Sequence, residues 1–453
     1  MLLQENVLTP PKDTSCPEAW DRAQNLFNDA CKEPDKLEHH RKLMDAGQAF
    51  VQVVLAAGNY PVEKSFALNN VGLIMQAMDR MEEAEKAFAF ALQMNPSHAT
   101  LLQNYATVRM IKGDLKGANE WFYKALDRDP KCAEARWNSA LISLAFGDFR
   151  RGFINYEYRW KCGTFTWKPL KTKRPQWNGQ PLTGKTILLT HEQGIGDSIQ
   201  FIRYAKLVKA RGPERVRFLC VPELICILQN VEGIDSVTEL ADINRDGTAG
   251  DEDFDYHCPL LSLPRIFKTR IDTIPNEVPY VRIGKAEFLT EDRKGREGGK
   301  LKVGLVWAGR KEHANDKNRS MSLEQFAPLF DVPGASWYSL QFGERANGVE
   351  KYPQITDLRA HMKSFADTAR LLNGLDLLMS VDTSVVHLAG AMGRPCWVCL
   401  PFSPDWRWML ERETSPWYPS LKLIRQKEKG NWGSVIERVK LELEQKIAKD
   451  AKA

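Results

Sequence analysis

The sequence predicts an α-helical repeat solenoid followed by two α/β halves with a cleft between them. Three observations lead to this fold class: a 34-residue period in the first third, strands that alternate with helices in the remainder, and a Gly-rich charged stretch that divides the remainder. Strands alternating with helices imply parallel, doubly wound sheets, and two such halves place a ligand cleft at the carboxyl ends of the strands. The length of 453 residues agrees with about three domains.

Composition excludes several classes of protein. Lys and Arg exceed Asp and Glu by 63 − 58 = 5, too small an excess to indicate nucleic-acid binding. No apolar run reaches the ~18 residues of a membrane span, and the first residues lack the pattern of a signal peptide. Nine Cys, an odd number scattered along the chain, indicate reduced thiols, so we expect a cytoplasmic protein.

The 34-residue period is carried by Asn70, Asn104 and Asn138. Other positions keep the same register: Gly72, Ala106 and Ala140; Ala84, Ala118 and Gly152; Phe88, Phe122 and Tyr156; Ala91 and Ala125; Pro96 and Pro130. Small residues let two helices approach closely, and the Pro ends the second helix of a pair. The pattern resembles the tetratricopeptide (TPR) repeat, in which each helix pair is buried only against its neighbours.

We therefore predict a TPR-like domain over residues 1–161, with units near 65–98, 99–132 and 133–161. Upstream, Glu18 to Ala30 and Asp35 to Leu55 read as two further helices that form a degenerate unit. Such solenoids present an extended surface to a peptide or protein partner. The alternative is a scaffold for packing or dimerisation.

The first α/β half is predicted over residues 162–295. It begins with the strand Thr186 to Thr190, the Gly-containing loop Glu192 to Asp197 and an amphipathic helix from Ser198 to Ala210. Further strands are predicted at 216–221, 236–240 and 256–260, and a further helix at 223–230.

The second half is predicted over residues 296–430, after a hinge-like stretch at 293–302. Its strands are predicted at 303–307, 337–342, 377–381 and 396–400, and its helices at 322–330, 365–373 and 385–392. In the remaining segment, 431–453, a terminal helix from Trp432 to Lys446 is expected to cross back onto the first half.

Four polar clusters follow predicted strands, where such folds bind ligands. They span residues 192–197, 310–320, 341–345 and 382–387. In the last of these, Asp382, Thr383 and Ser384 lie between a strand and a helix, and the free N–H groups of a first helical turn favour an anion such as a diphosphate. The alternative is an ordinary helix cap, since Asp is a preferred N-cap residue.

Residues from about 183 to 430 resemble the GT-B glycosyltransferases typified by ADP-heptose:lipopolysaccharide heptosyltransferases (glycosyltransferase family 9), and more closely their bacterial branch with TPR repeats in front. The matching stretches are Glu192-Gln193-Gly194-Ile195-Gly196-Asp197, Gly304-Leu305-Val306-Trp307-Ala308-Gly309, Asn315-Asp316 with Arg319-Ser320, Ser339-Leu340-Gln341, Asp382-Thr383-Ser384 with His387, Trp417-Tyr418-Pro419, and Arg425-Gln426. They cover both halves in the family's order, which implies two Rossmann-like domains around a cleft.

The resemblance implies that Asp197 is the base that deprotonates the acceptor; the alternative is a cap for the helix that follows. Gly194 and Gly196 would let the backbone approach a ligand closely. The family has a His three residues after this Asp, whereas Gln200 stands there in this chain. Gln200 cannot act as a base.

For the donor, the resemblance implies that Arg319 contacts phosphate, although it is alternatively a solvated loop charge. Gln341 and Glu344 fall where the family recognises base and ribose, or Glu344 is simply exposed. Thr383 and Ser384 would donate to the diphosphate beside Asp382. His387 would reach a phosphate oxygen, the alternative being a core His. These donor-side residues are Arg319, Gln341, Glu344, Asp382, Thr383, Ser384 and His387.

We expect no metal and no cofactor beyond the nucleotide-sugar co-substrate. No Asp-x-Asp motif stands at a plausible strand end. Cys396 and Cys399 have zinc or redox spacing, but they lie in an apolar run and no second Cys/His pair is suitably placed.

The expected function is an inverting transfer of a sugar from a nucleotide-sugar donor to a protein acceptor, with flagellin as a candidate, that is docked by the TPR-like repeats. Bacterial flagellin glycosyltransferases and the repeat-bearing O-GlcNAc transferases share this layout. One alternative is a transferase for lipopolysaccharide or another glycan. Another is a non-catalytic repeat scaffold with a decayed transferase domain.

Overall fold

A computed structural model describes residues 6–239, 253–284, 300–313 and 315–451. It divides into two compact units. The repeat unit comprises Met1–Leu144 and Arg151–Lys168, and the α/β unit comprises Ala145–Arg150 and Pro169–Ala453. The hinge-like stretch and the predicted boundary at 295/296 fall largely on residues 285–299, outside the described residues.

The first part of the chain is helical. The helices are α1 (Pro17–Ala30), α2 (Lys36–Ala56), α3 (Pro61–Ala77), α4 (Met81–Met94), α5 (Ala99–Ile111), α6 (Leu115–Arg128), α7 (Ala133–Ala145) and α8 (Phe149–Tyr156). Consecutive helices pack as pairs, α1 with α2, α3 with α4 and α5 with α6. The predicted TPR-like hairpin repeats are confirmed.

The sequence register explains this pairing. Gly72 of α3 lies against the ring of Phe88 of α4, where a Cβ would come within 2.7 Å of the ring. The small residue therefore lets the aromatic side chain fill the space between the two helices. The expected degenerate unit is also a helix pair: Trp20, Phe27 and Phe50 of α1 and α2 are buried in one apolar cluster.

The first sheet of the α/β unit has four strands. They are β1 (Thr186–Thr190), β2 (Arg215–Cys220), β3 (Ser236–Glu239) and β4 (Tyr256–Pro259). Every pairing is parallel, in the order β3-β2-β1-β4. The accompanying helices are α9 (Ile195–Phe201), α10 (Ala205–Lys209), α11 (Pro222–Leu228) and α12 (Leu263–Ile266).

The second sheet has six strands. They are β5 (Leu301–Val306), β6 (Ala335–Ser339), β7 (Ile355–Asp357), β8 (Leu377–Val381), β9 (Cys396–Leu400) and β10 (Leu421–Arg425). All of its pairings are parallel too. Its helices are α13 (Asp316–Arg319), α14 (Leu323–Phe326), α15 (Phe365–Gly374), α16 (Ser384–Ala391) and α17 (Trp432–Asp450).

Strand order fixes where a ligand can bind. The second sheet runs β10-β9-β8-β5-β6-β7, so successive strands are added first on one side of β5 and then on the other. The order reverses between β5 and β8, and that switch point opens a crevice at the carboxyl ends of the strands. Two parallel sheets of this kind resemble the GT-B fold, and the predicted fold class is confirmed.

The packing of α17 corrects one expectation. An apolar stripe of this helix, including Trp432, Val439 and Leu443, belongs to the buried core of the six-stranded sheet. The helix contacts α14 and β10 of the second half, whereas the sequence led us to expect that it crosses back onto the first half. Burial of this apolar stripe completes the core of the six-stranded sheet, which explains why the helix packs on the second half.

The helix after β1 also differs from expectation. Instead of one helix from Ser198 to Ala210, α9 begins at Ile195, a 3₁₀ turn spans Ile202–Tyr204, and α10 follows. Asp197 therefore lies in the first turn of α9 rather than before it. Within the described part of the chain, no helix is both long and apolar enough to cross a membrane.

Candidate active site

The candidate site is formed by loops that follow β1, β5, β8 and β9 in the α/β unit. Each loop leaves the carboxyl end of a parallel strand. The charged side chains that these loops bring together are Asp197, Arg319, Asp382, Asp405 and Arg407. This is the edge of the sheets where doubly wound folds bind ligands.

Asp197 lies in the first turn of α9 and makes two different contacts. Its Oδ2 accepts a hydrogen bond from the backbone N–H of Gly194 at 2.8 Å, while its Oδ1 pairs with Arg407. Burial raises the pKa of the Asp197 carboxyl, against the opposing effect of the Arg407 charge. The side chain is 16% exposed, so it combines a perturbed pKa with access to solvent.

Arg407 links two carboxylates. Besides its ion pair with Asp197, its Nη1 donates to Oδ1 of Asp405 at 2.8 Å, and its backbone N–H donates to the same oxygen at 3.0 Å. The guanidinium is 9% exposed and lies 4.5 Å from the ring centroid of Trp406. Sequence reasoning missed this Arg, although the loop after β9 obeys the strand-end rule that found the other clusters.

Asp382 occupies the switch point, between the end of β8 and the start of α16. Burial and the nearby Asp405 raise the pKa of Asp382 to about 6, although the charges of Arg319 and Arg407 favour its ionised form. The carboxyl is therefore poised to change its charge near neutral pH.

Arg319, at the end of α13, lies close enough to Asp382 for its charge to favour the ionised form of that carboxyl. Its guanidinium lies over Gly309, where a Cβ would come within 2.6 Å of Nη2. Its Nε is buried without a hydrogen-bond partner among the described residues. A side chain at position 309 would displace this guanidinium, so Gly309 shapes the position of Arg319.

Thr383 and Ser384 lie at the start of α16, which begins one residue earlier than the predicted helix at 385–392. Thr383 is the N-cap residue and is buried, with its Oγ1 3.2 Å from Oγ of Ser380. Ser384 is half-buried at the first helical position. The first-turn N–H groups of α16 thus follow directly after Asp382 in the chain, at the positive end of the helix dipole.

His387 is a buried residue of α16. Its Nδ1 lies 3.0 Å from the Tyr418 hydroxyl, and its ring stacks on Trp408 at a centroid distance of 5.4 Å. Burial, with the charges of Arg407, Arg203 and Arg319, holds the pKa of His387 well below its usual value. The imidazole is therefore neutral and tightly packed, as the core-His alternative describes.

The close contact with His387 explains why position 196 holds a glycine. A Cβ at Gly196 would lie 2.7 Å from Cδ2 of His387, so the absence of a side chain lets α9 approach α16. Gly194, the N-cap of α9, is exposed and donates to Asp197. The two glycines therefore serve helix contact and capping in this structure.

Gln200 is fully buried, and neither Oε1 nor Nε2 of its amide has a hydrogen-bond partner in the described ranges. A buried, unpaired amide is uncommon and costs about 1–3 kcal/mol. Gln200 stands where the family that this chain resembles has a His, and its buried amide is unsatisfied in this structure.

Gln341 and Glu344 both bond to residues of the loop that follows β5. The Gln341 Oε1 accepts from the N–H groups of Trp307 and Ala308 at 3.0 and 2.9 Å, and its Nε2 donates to the Ala308 carbonyl at 3.0 Å. This amide holds the loop after β5. Glu344 is 80% exposed and pairs with Lys311 at 2.7 Å.

The described residues contain no group of three or more His, Cys, Asp or Glu side chains arranged to hold a metal ion. Cys396 and Cys399 are buried in β9 as free thiols. Burial raises the pKa of the Cys399 thiol to about 12, which makes the thiolate that metal binding needs costly.

Several bacterial proteins are similar to this chain in sequence. No family model matches the sequence. The chain is 24% identical to Protein FlbA of Caulobacter vibrioides over 429 residues, which cover 82% of this chain and 71% of FlbA. Over 90 residues it is 34% identical to the cellulose synthase operon protein C of Komagataeibacter sucrofermentans, of which those residues cover 7%.

The solved structures that are similar to this chain include both glycosyltransferases and tetratricopeptide repeat proteins. A family 9 glycosyl transferase from Veillonella parvula matches 60% of this chain and 100% of its own, with 13% identity and a TM-score of 0.43. The ADP-heptose LPS heptosyltransferase II of E. coli matches 59% and 99%, with 13% identity and a TM-score of 0.40. A tetratricopeptide repeat protein from Parabacteroides merdae matches 30% and 52%, with 18% identity and a TM-score of 0.26.

Proposed function

We propose that this protein is an inverting glycosyltransferase that transfers a sugar from a nucleotide-sugar donor to a protein acceptor. The observation that carries the proposal is the convergence of Asp197, Arg319 and Asp382 at the carboxyl ends of two parallel sheets. A carboxylate with a raised pKa, opposite a cationic, helix-dipole site, is what inverting transfer to a nucleophile requires.

In the proposed reaction, Oδ1 of Asp197 accepts the proton of the acceptor group. The acceptor atom then forms a bond to the anomeric carbon, and the bond from that carbon to the phosphate oxygen breaks. The electron pair leaves with the nucleotide. A base works best when its pKa lies close to the working pH, and burial moves the pKa of Asp197 upward in that direction.

Negative charge that develops on the leaving nucleotide would be stabilised by Arg319 and by the first-turn N–H groups of α16. Arg guanidinium groups bind phosphate in two-point geometry. With a pKa of about 6, Asp382 becomes neutral as it accepts a proton, which reduces repulsion of a diphosphate. These fixed positive groups supply charge stabilisation without a metal, so we propose a metal-independent reaction.

We further propose that the TPR-like repeats dock the protein acceptor, with flagellin as the first candidate. The support is the layout of the chain, a repeat unit followed by two parallel sheets, which bacterial flagellin glycosyltransferases share. Helix-pair solenoids are well suited to hold extended peptides.

The proposal is tested by sugar transfer to purified flagellin, measured by intact mass across a panel of nucleotide sugars. Asp197→Asn should lower the rate by about 10²- to 10⁴-fold and leave the affinity for the free nucleotide unchanged. Wild-type activity in that variant would remove Asp197 as the base. No transfer by the wild-type chain from any donor, despite nucleotide binding, would favour the decayed scaffold.

The donor side has its own matched pair of variants. Arg319→Ala should weaken nucleoside diphosphate binding by about 10- to 100-fold, the value of charged hydrogen bonds to phosphate. Arg310→Ala removes an 85% exposed Arg from the same loop and should leave that affinity unchanged. Thermal shift with ADP, UDP, GDP and CMP provides the measurement, and equal affinities in the two variants would reject the assignment of Arg319.

A further inference from the structure

The segment that precedes α1 lies on the repeats and is held through its backbone. Asn70 of α3 brackets one residue: its Oδ1 accepts from the N–H of Leu8 at 3.0 Å, and its Nδ2 donates to the carbonyl of Leu8 at 2.9 Å. A carboxamide that hydrogen-bonds to both the N–H and the C=O of one residue recognises the peptide backbone rather than a side chain. Asn70 is fully buried under this contact.

Asn69 adds a second contact with the backbone of the same segment, two residues before Leu8. Its Nδ2 donates to the carbonyl of Asn6 at 3.1 Å, and its Oδ1 accepts from Nδ2 of Asn104 at 2.8 Å. Residues 6 and 8 therefore both face α3, as alternate residues of an extended chain do. The link to Asn104 of α5 carries the same polar network into the next repeat.

The side chains of the bound segment add an apolar preference. Val7 packs against the cluster of Leu73, Phe88 and Val108, while Leu8 packs against a second cluster that includes Leu101 and Phe122. Both clusters are formed by successive repeats. A bound peptide with two neighbouring apolar residues would satisfy these contacts, and the asparagines would accept any residue other than Pro at the bracketed position.

The asparagines recur once per repeat. Asn70, Asn104 and Asn138 are 34 residues apart. Asn138 is half-buried, and its Nδ2 lies 3.4 Å from Oγ1 of Thr107. The same side chain thus stands at the equivalent position of the following units. An extended peptide can be read at more than one repeat.

A second contact anchors the same segment further along. The buried carboxylate of Glu63 accepts from the Ser15 N–H at 3.0 Å and from the Ser15 hydroxyl at 2.7 Å. Residues 6–8 are therefore tethered close to Asn69 and Asn70. Tethering gives a short segment a high effective concentration at its site, which favours it over a free peptide.

We propose that Asn69 and Asn70 form a backbone-binding subsite for an extended peptide, that residues 6–8 of this chain occupy it at rest, and that an apolar segment of the protein acceptor takes their place. The last step rests on the proposed function, whereas the first two do not. The repeats would accordingly engage an acceptor only by displacing their own chain.

The test uses the full chain with residues 6–11 replaced by Gly and Ser, and a labelled peptide that copies residues 2–12. Fluorescence anisotropy should show saturable binding to this variant and much weaker binding to the intact chain, where the peptide competes with the tethered residues 6–8. Two further peptides separate backbone from side chain: Leu8→Pro lacks the N–H that Asn70 accepts, whereas Leu8→Ala keeps it. We expect the Pro peptide to bind about tenfold more weakly than the Ala peptide.

Equal binding of the Pro and Ala peptides would overturn the backbone subsite, and equal binding to the intact and replaced chains would overturn its occupation by residues 6–8. Hydrogen exchange on the intact chain gives an answer without any variant: excess wild-type peptide should speed exchange at residues 6–8, and an unchanged rate contradicts the proposal. None of these measurements involves sugar transfer, so their failure is distinguishable from failure of the proposed function.

Discussion

At the scale of single residues, Asp197 shows how one side chain can serve as a helix cap and still be available for chemistry. Its two carboxylate oxygens are engaged separately, Oδ2 by the Gly194 N–H and Oδ1 by Arg407. The capping bond fixes the orientation of the carboxylate. The other oxygen then faces the charged cluster, so the cap and base interpretations are compatible rather than exclusive.

Removing the Arg407 charge should alter the pH dependence of transfer. Burial raises the pKa of Asp197 and the Arg407 charge lowers it, so Arg407→Ala should raise that pKa further. Activity that needs the ionised carboxylate is lost as pH falls through the pKa, and the acidic limb should therefore move to higher pH. Arg407→Lys keeps the charge and should move it less. A kcat/KM profile that is identical in both variants would contradict the coupling.

Asp382 should lower the stability of the α/β unit at neutral pH. With a folded pKa raised to about 6, its stabilising protonated form is fully present below the unfolded pKa of about 4 and is lost as pH rises through about 6. Asp382→Asn should therefore stabilise the unit at about pH 7.5, and this gain should shrink toward about pH 4.5. Denaturant midpoints at the two pH values test this. Asp331→Asn, at an exposed position, is the control.

The strand-end rule predicted several residues of the site because it depends on local sequence alone. Asp197, Arg319 and Asp382 each follow a recognisable apolar strand. The partner of Asp197 could not be found in that way, since Arg407 lies 210 positions further along the chain. Gln341 illustrates the opposite case: the resemblance implied a ligand contact, whereas its amide hydrogen-bonds to the loop after β5 in the structure.

At the scale of elements, the site depends on how α9 approaches α16. These two helices belong to different sheets and pack closely against each other. Gly196 permits the approach, because His387 lies where its Cβ would be. The Asp197 carboxylate and the start of α16 therefore owe their proximity to one missing side chain.

Gly196→Ala should push α9 away from α16. Its Cβ would meet the ring of His387 at 2.7 Å, and overpacking of this kind costs about 1–3 kcal/mol. We expect a lower melting temperature for the α/β unit and slower transfer. Gly284→Ala adds the same atom where nothing lies within 4 Å and should leave both unchanged. A Gly196→Ala chain with wild-type stability would contradict this account of the helix contact.

Element boundaries show where sequence patterns stop being informative. The TPR-like helix pairs were predictable because small and aromatic residues recur every 34 positions. The core against which α17 packs was not predictable, because an apolar stripe shows that a helix is buried but does not show which core it joins. The break between α9 and α10 was likewise hidden, since the apolar pattern continues through the intervening 3₁₀ turn.

At the scale of the whole molecule, the two units have cores of their own. The repeat unit buries Trp20, Phe27 and Phe50 in one cluster, while the six-stranded sheet buries a separate cluster that includes Trp337 and Trp432. A ligand stabilises only the structure to which it binds. Nucleotide binding should consequently stabilise the α/β unit alone, and packing changes in the repeats should act on the repeat unit alone.

Calorimetry can separate these two effects in one chain. Gly72→Ala would place a Cβ 2.7 Å from the Phe88 ring and should destabilise the repeat unit by about 1–3 kcal/mol. A nucleoside diphosphate at about 100 times its Kd should stabilise the α/β unit by about 2.7 kcal/mol, in the variant as in the wild type. Gly47→Ala, whose Cβ would meet its nearest neighbour at 3.4 Å, serves as the matched control in the same unit. If Gly72→Ala abolished the nucleotide-induced shift, the two units would not be independent and the proposed division between acceptor docking and donor binding would fail.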